Sequence, residues 1–455
     1  MKTKYREFLA IEITPELEGK KVRIAGWVHS VRRVGKIAFL VLRDFTGTIQ
    51  VTFRVPRDAD DETKAKFKEL VKKVASLSPE SVVMVEGVVR KDPRAPRGVE
   101  IVGENVEVLS EAKSPLPLDV AGKVDAHIDT RLAARPIDLR RPESQAVLRL
   151  VSLAAKAIRS YLYELNFTEV FTPKIIASGT EGGAQLVPVF YFGKDAFLAQ
   201  SPQLYKELLT SSLEYVFEIA PAWRHEESDT PYHLAEFISV DVEMAFADYN
   251  DVMKVLENVI KRVTDNVRNE GSTWLKILNH EPPEVTLPIP RISYKEAWEI
   301  IKSEGFDIEP GEDFGTPELR KLAEVLEKEG KTSGGFFFIV DWPADVRPFY
   351  TKRKGKEIIG GRELDLSESF DLNWRHLEIS SGSTRIHRRE ELEKEMSLRG
   401  LNPESFEWYL KWYDYGMPPH AGWGMGLQRL MVPIAGIPNV RLATTFPRDM
   451  KRLVP

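Results

Sequence analysis

FEIAPAWRHEESDTPYHLAEFISVDVEMAF, residues 217–246, sets two apolar, strand-like runs on either side of a polar loop. Phe217, Ile219 and the run from Phe237 to Phe246 supply strand material, and Ser228, Asp229, Thr230 and Pro231 supply turn chemistry between them. The pattern predicts a β-hairpin whose loop carries Arg224, Glu226 and His233. Arg224 falls at a strand end, where its planar, always-charged fork suits a phosphate through two parallel hydrogen bonds. An ordinary ion pair with Glu226 or Glu227 is the competing reading of the same arginine.

Two hundred residues later, HAGWGMGLQRLMVPIAG (420–436) runs three alternate glycines straight into an apolar helix carrying Arg429. Alternate glycines suit a strand that something approaches closely. Tight helix–strand packing would also explain them. The spacing matches neither common nucleotide loop: there is no Gly-Lys-Ser/Thr ending, and the glycines do not follow G-x-G-x-x-G.

Together these two segments resemble motifs 2 and 3 of class II aminoacyl-tRNA synthetases, spanning about 215–246 and 420–436. FTEVFTPKI (167–175), with Pro173, resembles motif 1 of that class, about 160–176. The resemblance extends to the aspartyl, asparaginyl and lysyl subgroup, because a barrel-like domain precedes the catalytic part, and it covers essentially the whole chain.

Length and composition are consistent with a soluble globular protein of two or three domains. The 455 residues can bury a substantial core. No apolar run approaches the roughly 20 residues of a membrane helix, and MKTKYREFLAIEITPEL lacks a signal-peptide pattern. A cytoplasmic location without membrane contact is expected. With no cysteine, any metal is left to oxygen ligands rather than thiolates. Net charge is −5, but residues 1–105 hold 21 Lys and Arg against 15 Asp and Glu, a net +6 that leaves −11 on the rest. A basic module beside an acidic one suits a polyanion grip, although a solvated surface could differ by as much.

Within the basic part, KVRIAGWVHSV, KIAFLVLRD, GTIQVTF, SVVMVEGVV and GVEIVGENVEVL predict five strands, with a helix from Asp61 to Ala75 after the third. That order matches a five-stranded OB-fold barrel. Such barrels stack bases on aromatic side chains across a basic face, and Phe39 is the candidate. Alternation groups Phe39 with Ile37 and Val41 on one face, which could equally be the core face. The expected division is an OB-fold domain at 1–107, a hinge at 108–140 rich in proline and charge, and a catalytic domain at 141–455. The expected fold class is α+β: an all-β barrel, then an antiparallel sheet flanked by helices. Val147, Leu150, Val151, Ala154, Ile158, Tyr161 and Leu165 predict the first catalytic helix.

The resemblance also implies roles. Arg224 and Arg429 would be catalytic, binding ATP with Glu226, His233, Glu378 and Gly426. Glu378 and Ser381 in LEISSGSTRIHRRE (377–390) would hold Mg2+, which takes few protein oxygens and completes its shell from phosphates and water. In AFLAQSPQLYKELL (196–209), Ser201 and Gln203 would hold the amino acid's backbone groups and Lys206 its side-chain carboxylate, helped by Arg385 and oriented by Asp241. Ser381 would also face the amino acid, and Glu181 in GTEGGA would recognise its ammonium. The implied substrate is L-aspartate: two enclosed cations suit a carboxylate, while a carboxamide would leave charge unpaired. Lys206 and Arg385 speak against the asparaginyl alternative, and intact Arg224, Glu378 and Arg429 against a catalytically silent relative. Gln50 and Glu100 would read anticodon edges. His29 and Pro96 stand where archaeal-type aspartyl enzymes that also accept tRNA(Asn) tend to carry histidine and proline. The implied partners are therefore tRNA(Asp) and tRNA(Asn), a second copy of the chain in a homodimer, and an amidotransferase acting on the tRNA(Asn) product. Gln428 departs from the acid common before the motif 3 arginine. KRKGKEIIGGRELDLS (352–367) reads as a flexible insertion without an assigned role.

Overall fold

A computed structural model describes residues 2–454 apart from Lys123, Ser178, Thr180, 181–185 and Glu226. The expected sites Glu181 and Glu226 lie outside the described residues. Contacts divide the chain into two units, Met1–His127 and Ile128–Pro455.

The first unit is a closed barrel of β1 (Lys21–Val34), β2 (Ile37–Asp44), β3 (Gly47–Arg54), β4 (Val82–Lys91) and β5 (Val99–Ser110), in the order β1-β2-β3-β5-β4. β3 and β5 pair parallel and the other neighbours antiparallel. On β2, Ala38, Leu40 and Leu42 fill the interior. Ile37, Phe39 and Val41 therefore form the outer face, which removes the core reading of Phe39. The helix Asp61–Ala75 is capped by the Asp60 side chain accepting from the Thr63 amide, and it buries Val71 and Val74.

The second unit is built on an eight-stranded sheet. Its strands run β6 (Thr168–Glu169), then a small three-stranded sheet of β7 (Ile175–Ile176), β8 (Pro188–Tyr191) and β9 (Lys194–Leu198), then β10 (Tyr215–Trp223), β11 (Glu236–Ala245), β12 (Arg291–Ser293), β13 (Phe336–Val340), the hairpin β14 (Arg353–Ile359) and β15 (Arg362–Ser367), β16 (Ser369–Trp374), β17 (Leu377–Thr384) and β18 (His420–Gly426). The large sheet has the order β12-β13-β16-β17-β18-β11-β10-β6. Its six central strands are antiparallel, and only the short edge strands β12 and β6 pair parallel.

One face of this sheet packs on the helices Pro142–Glu164 and Tyr249–Glu270. The first buries Val147, Leu150, Ala154 and Ile158, as its periodicity predicts. The second starts at a capping box between Asp248 and Asp251 and buries a stripe from Val252 to Val267. Val240, Val242, Trp423 and Met425 meet these helices from the sheet. Full burial of each such side chain contributes about 1.5–3 kcal/mol.

Two expectations about connecting segments change. The division between units falls inside the predicted hinge, and Arg135, 1% exposed, belongs to the second unit. It donates to Asp138 at 2.6 Å and to the carbonyls of Leu442, Thr444 and Thr445. Residues 352–367 are not a flexible insertion but the β14–β15 hairpin. Its alternating Ile359, Leu364 and Leu366 enter a core with Trp298 and Trp342, while Arg353 pairs with Glu395 at 2.6 Å. The charged outer residues obscured that apolar alternation in the sequence.

Candidate active site

Period-two alternation on β11 decides the site. Val240 and Val242 face the helices, so Ser239, Asp241 and Glu243 face the opposite side. The neighbouring β18 puts Gly424 beside Asp241 and Gly422 beside Glu243. A Cβ on Gly422 would lie 2.1 Å from Glu243 Oε2 and 2.2 Å from the Val242 carbonyl, and one on Gly424 would lie 3.2 Å from Asp241 Oδ1. The alternate glycines thus make room for two buried carboxylates of the adjacent strand, a third answer to the question their spacing raises.

Lys206 reaches these carboxylates from the helix Gln203–Leu213. Lys206 is 2% exposed, and its Nζ donates to Asp241 Oδ1 at 3.0 Å and to the Trp423 carbonyl at 3.1 Å and lies 3.3 Å from Glu243 Oε2. Ser239 Oγ donates to the other Asp241 oxygen at 2.5 Å. Arg385, just beyond β17, donates through Nε and Nη2 to Glu243 at 2.9 and 3.3 Å and through Nη1 to Ser383 at 2.6 Å. Burial opposes its charge, but the Glu243 carboxylate more than offsets that, so its pKa is raised.

The expectation of two cations waiting for one carboxylate is therefore corrected. Both are already neutralised, because a buried charge without a partner costs several kcal/mol. An ammonium has three donors and a guanidinium five. Lys206 has three acceptors within reach, whereas Arg385 has two N–H groups uncommitted among the described residues. Arg385 is the better placed donor for an incoming carboxylate, and Lys206 supplies charge behind it.

Asp241 and Arg385 face a cavity of ≈ 290 Å³ whose lining also includes Ser201, Gln203, Arg224, His233, Glu378, Ser381, Gly426 and Arg429, while Lys206 and Glu243 are outside that lining. The structure thus gathers these predicted residues from four separated segments. Arg224 is exposed at the end of β10, its guanidinium 5.4 Å from the Phe237 ring centre, and makes no ion pair among the described residues. His233 Nδ1 is 2.5 Å from Thr230 Oγ1. Arg429 lies in the first turn of the helix Leu427–Ala435, held by the carbonyls of Tyr232 and Glu378 at 3.3 and 3.2 Å. Gln428, in place of the acid, accepts at Oε1 from the Ile238 amide at 3.0 Å and ties this helix to β11.

The exposed carboxylate of Glu378 and the Ser381 hydroxyl are hard oxygen donors, fitting Mg2+. Among the described residues no group of three or more His, Cys, Asp and Glu is arranged to hold an ion alone. Asp371, paired in register with Ser381, went unnoticed in the sequence, as did Arg347, which clasps it at 3.1 and 2.6 Å. Burial, together with nearby Glu378, raises the Asp371 pKa against the pull of Arg347. Neither residue belongs to a local motif, since β16 is brought to β17 only by sheet pairing. Glu243 was legible, two residues beyond Asp241 on the same strand face.

On the barrel, Phe39 is half-buried with the Arg32 guanidinium 5.1 Å from its ring centre. Gln50 pairs with Val41 on the same outer face. Glu100, expected at that surface, is 1% exposed and accepts from Thr52 at 2.6 Å and Gln50 at 2.9 Å, with Arg90 on its other oxygen. It anchors Gln50. His29 is the extra residue of a bulge between Val28 and Ser30, and Pro96 is exposed at the start of a short turn.

The family model for class II tRNA synthetases (D, K and N) matches residues 127–450, and that for the OB-fold nucleic acid binding domain matches residues 22–109. The chain belongs to the class II tRNA synthetases of the D, K and N group. An aspartate–tRNA(Asp/Asn) ligase of Sulfurisphaera tokodaii is 56% identical over 99% of this chain and 100% of its own length. One from Saccharolobus solfataricus is 54% identical over the same shares. Among solved structures, asparaginyl-tRNA synthetase from Pyrococcus horikoshii complexed with asparaginyl-adenylate superposes with a TM-score of 0.86, at 33% identity over 98% of this chain and 99% of that one. In this synthetase the expected architecture holds: an OB-fold barrel precedes a catalytic unit built on a largely antiparallel sheet.

Proposed function

We propose that this synthetase activates L-aspartate with ATP and transfers it to tRNA(Asp) and tRNA(Asn). The observation that carries the reading is the buried set Lys206–Asp241–Glu243–Arg385, which reaches the cavity of Arg224 and Arg429 through Asp241 and Arg385. Aspartate's side-chain carboxylate would take the uncommitted N–H groups of Arg385. A carboxamide nitrogen there would meet donors only. The two relatives named as aspartate–tRNA(Asp/Asn) ligases support both the amino acid and the tRNA pair.

In the first step the aspartate α-carboxylate attacks the α-phosphorus of ATP in line, releasing pyrophosphate and leaving aspartyl-adenylate. Arg224 would meet the charge developing on the α-phosphate, and Arg429, with Gly426 and His233 beside it, would hold the remaining phosphates. Mg2+, held by Glu378 and Ser381, would supply charge neutralisation on the phosphates. Ser201 and Gln203 would fix the amino acid's backbone groups. In the second step the terminal ribose hydroxyl of tRNA attacks the activated carbonyl and AMP leaves. Positioning and fixed charge carry both steps, and no protein nucleophile is required.

Outside the cleft, Phe39 and Gln50 would meet the anticodon, with His29 and Pro96 permitting tRNA(Asn). Aspartyl-tRNA(Asn) would then need an amidotransferase. The exposed Phe171 and Pro173 beside β6 would lie in a homodimer interface. No helix among the described residues is long and apolar enough to cross a membrane. Amino-acid-dependent pyrophosphate exchange tests the core of this reading, with aspartate expected to dominate; a faster rate with asparagine would reverse the substrate. Charging of separate tRNA(Asp) and tRNA(Asn) transcripts tests the tRNA range.

A further inference from the structure

Behind the amino-acid cavity lies a second polar cluster that the mechanism does not use. Glu207, one helical residue after Lys206, is fully buried. Its Oε1 accepts from Gln203 Nε2 at 2.5 Å, one turn back on the same helix face. Its Oε2 accepts from Tyr409 at 2.5 Å and Tyr413 at 3.0 Å, and the two phenols also bond each other. His420 Nε2 lies 3.6 Å from the same oxygen. The tyrosines come from residues 407–415, just before β18 and outside every motif.

We infer that Glu207, clamped by Tyr409 and Tyr413, is a positioning residue that fixes the side-chain amide of Gln203 so that its carbonyl oxygen serves the substrate's α-ammonium. An amide has a donor end and an acceptor end, and an ionised carboxylate only accepts. With Nε2 committed to Glu207, Gln203, which lines the cavity, keeps Oε1 for a ligand. An ammonium is donor-only and requires that end. Although burial opposes its ionisation, His420, Arg385 and Tyr409 together keep the Glu207 pKa low. The cluster therefore stays acceptor-only on this side. Glu207→Gln would remove that constraint, since an amide partner tolerates either orientation of Gln203.

The inference rests on the aspartate reading and has its own test. For the full-length Glu207→Gln enzyme, pyrophosphate exchange should show the aspartate KM raised about tenfold, the scale of one charge-assisted hydrogen bond. The ATP KM should stay in place and kcat should fall by less than KM rises. Succinate, which keeps both carboxylates but lacks the ammonium, should inhibit wild type and variant equally. Tyr413→Phe, which removes one clamp and spares Gln203, should shift the aspartate KM in the same direction by less. Equal weakening of succinate and aspartate, or no change in either, would overturn the assignment. Absence of aspartate-dependent exchange in the wild type would instead overturn the aspartate reading itself.

Discussion

Lys206 is the residue on which the most chemistry converges, and its replacement separates charge from fold. In Lys206→Leu, Asp241 keeps only the Ser239 hydroxyl among the contacts described above, while Glu243 retains Arg385. Orphaning a buried carboxylate costs on the order of 3–5 kcal/mol. Thermal unfolding should therefore move clearly downward, and aspartate-dependent exchange should vanish. Lys206→Met combined with Asp241→Asn should recover much of the lost stability but none of the exchange; recovered exchange would remove Lys206 from substrate binding. Residue by residue, the sequence exposes those that sit in short motifs, such as Arg224, Arg429, Gln203 and Lys206. It conceals Arg347, Asp371 and the Tyr409–Tyr413 clamp, because their partners lie tens to hundreds of residues away and nothing local marks them.

Elements act here through register and through ties between segments. Gly422→Ala would press a methyl into the Val242 carbonyl and the Glu243 carboxylate. Such overpacking typically costs about 1–3 kcal/mol, so lower thermal stability should accompany a weakened aspartate site; an unchanged melting temperature would show that β18 yields freely. A second tie is Arg441, which donates to the Thr230 carbonyl, to Asp229 at 2.9 Å and to Asp449 at 2.6 Å, pinning the loop between β10 and β11. Asp229 is held below its ordinary pKa of 3.8 by Lys451 and Arg441. For Asp449 burial pushes the other way, yet Arg441 and Arg452 also bring it below 3.8. Depressed folded-state values mean that the stabilisation is complete above 3.8 and lost as pH falls through them. Hydrogen exchange of residues 228–233, corrected for intrinsic rates, should thus hold steady from neutral pH to about pH 5 and quicken only below about pH 4. Arg441→Ala should produce the quickening at neutral pH; equal protection in the variant would show that the loop holds itself. The hairpin of residues 217–246 was legible because two apolar runs flank turn residues, whereas its fastening to the C-terminal segment was not, since ion pairs leave no periodic trace.

At the level of the whole molecule, the barrel has its own closed sheet and core. Residues 1–127 expressed alone should fold and bind single-stranded RNA, weakening steeply with added salt as counterion release requires. Phe39→Ala should cost about 1–3 kcal/mol if bases stack there; salt-independent binding, or none at low salt, would argue against the basic face as a grip. The order of barrel, helix and sheet was readable because alternation and helical periodicity are local. The position of each strand in the large sheet was not, because strand neighbours are chosen by tertiary packing. That order carries a consequence for synthesis. β18, residues 420–426, inserts between β17 and β11, whose own residues 236–245 emerge almost two hundred residues earlier. A growing chain on the ribosome can complete its barrel early, but the floor of the cavity does not exist until residues 420–426 arrive. A nascent polypeptide that stops short of β18 consequently lacks the strand between β17 and β11, and is expected to leave ATP unspent.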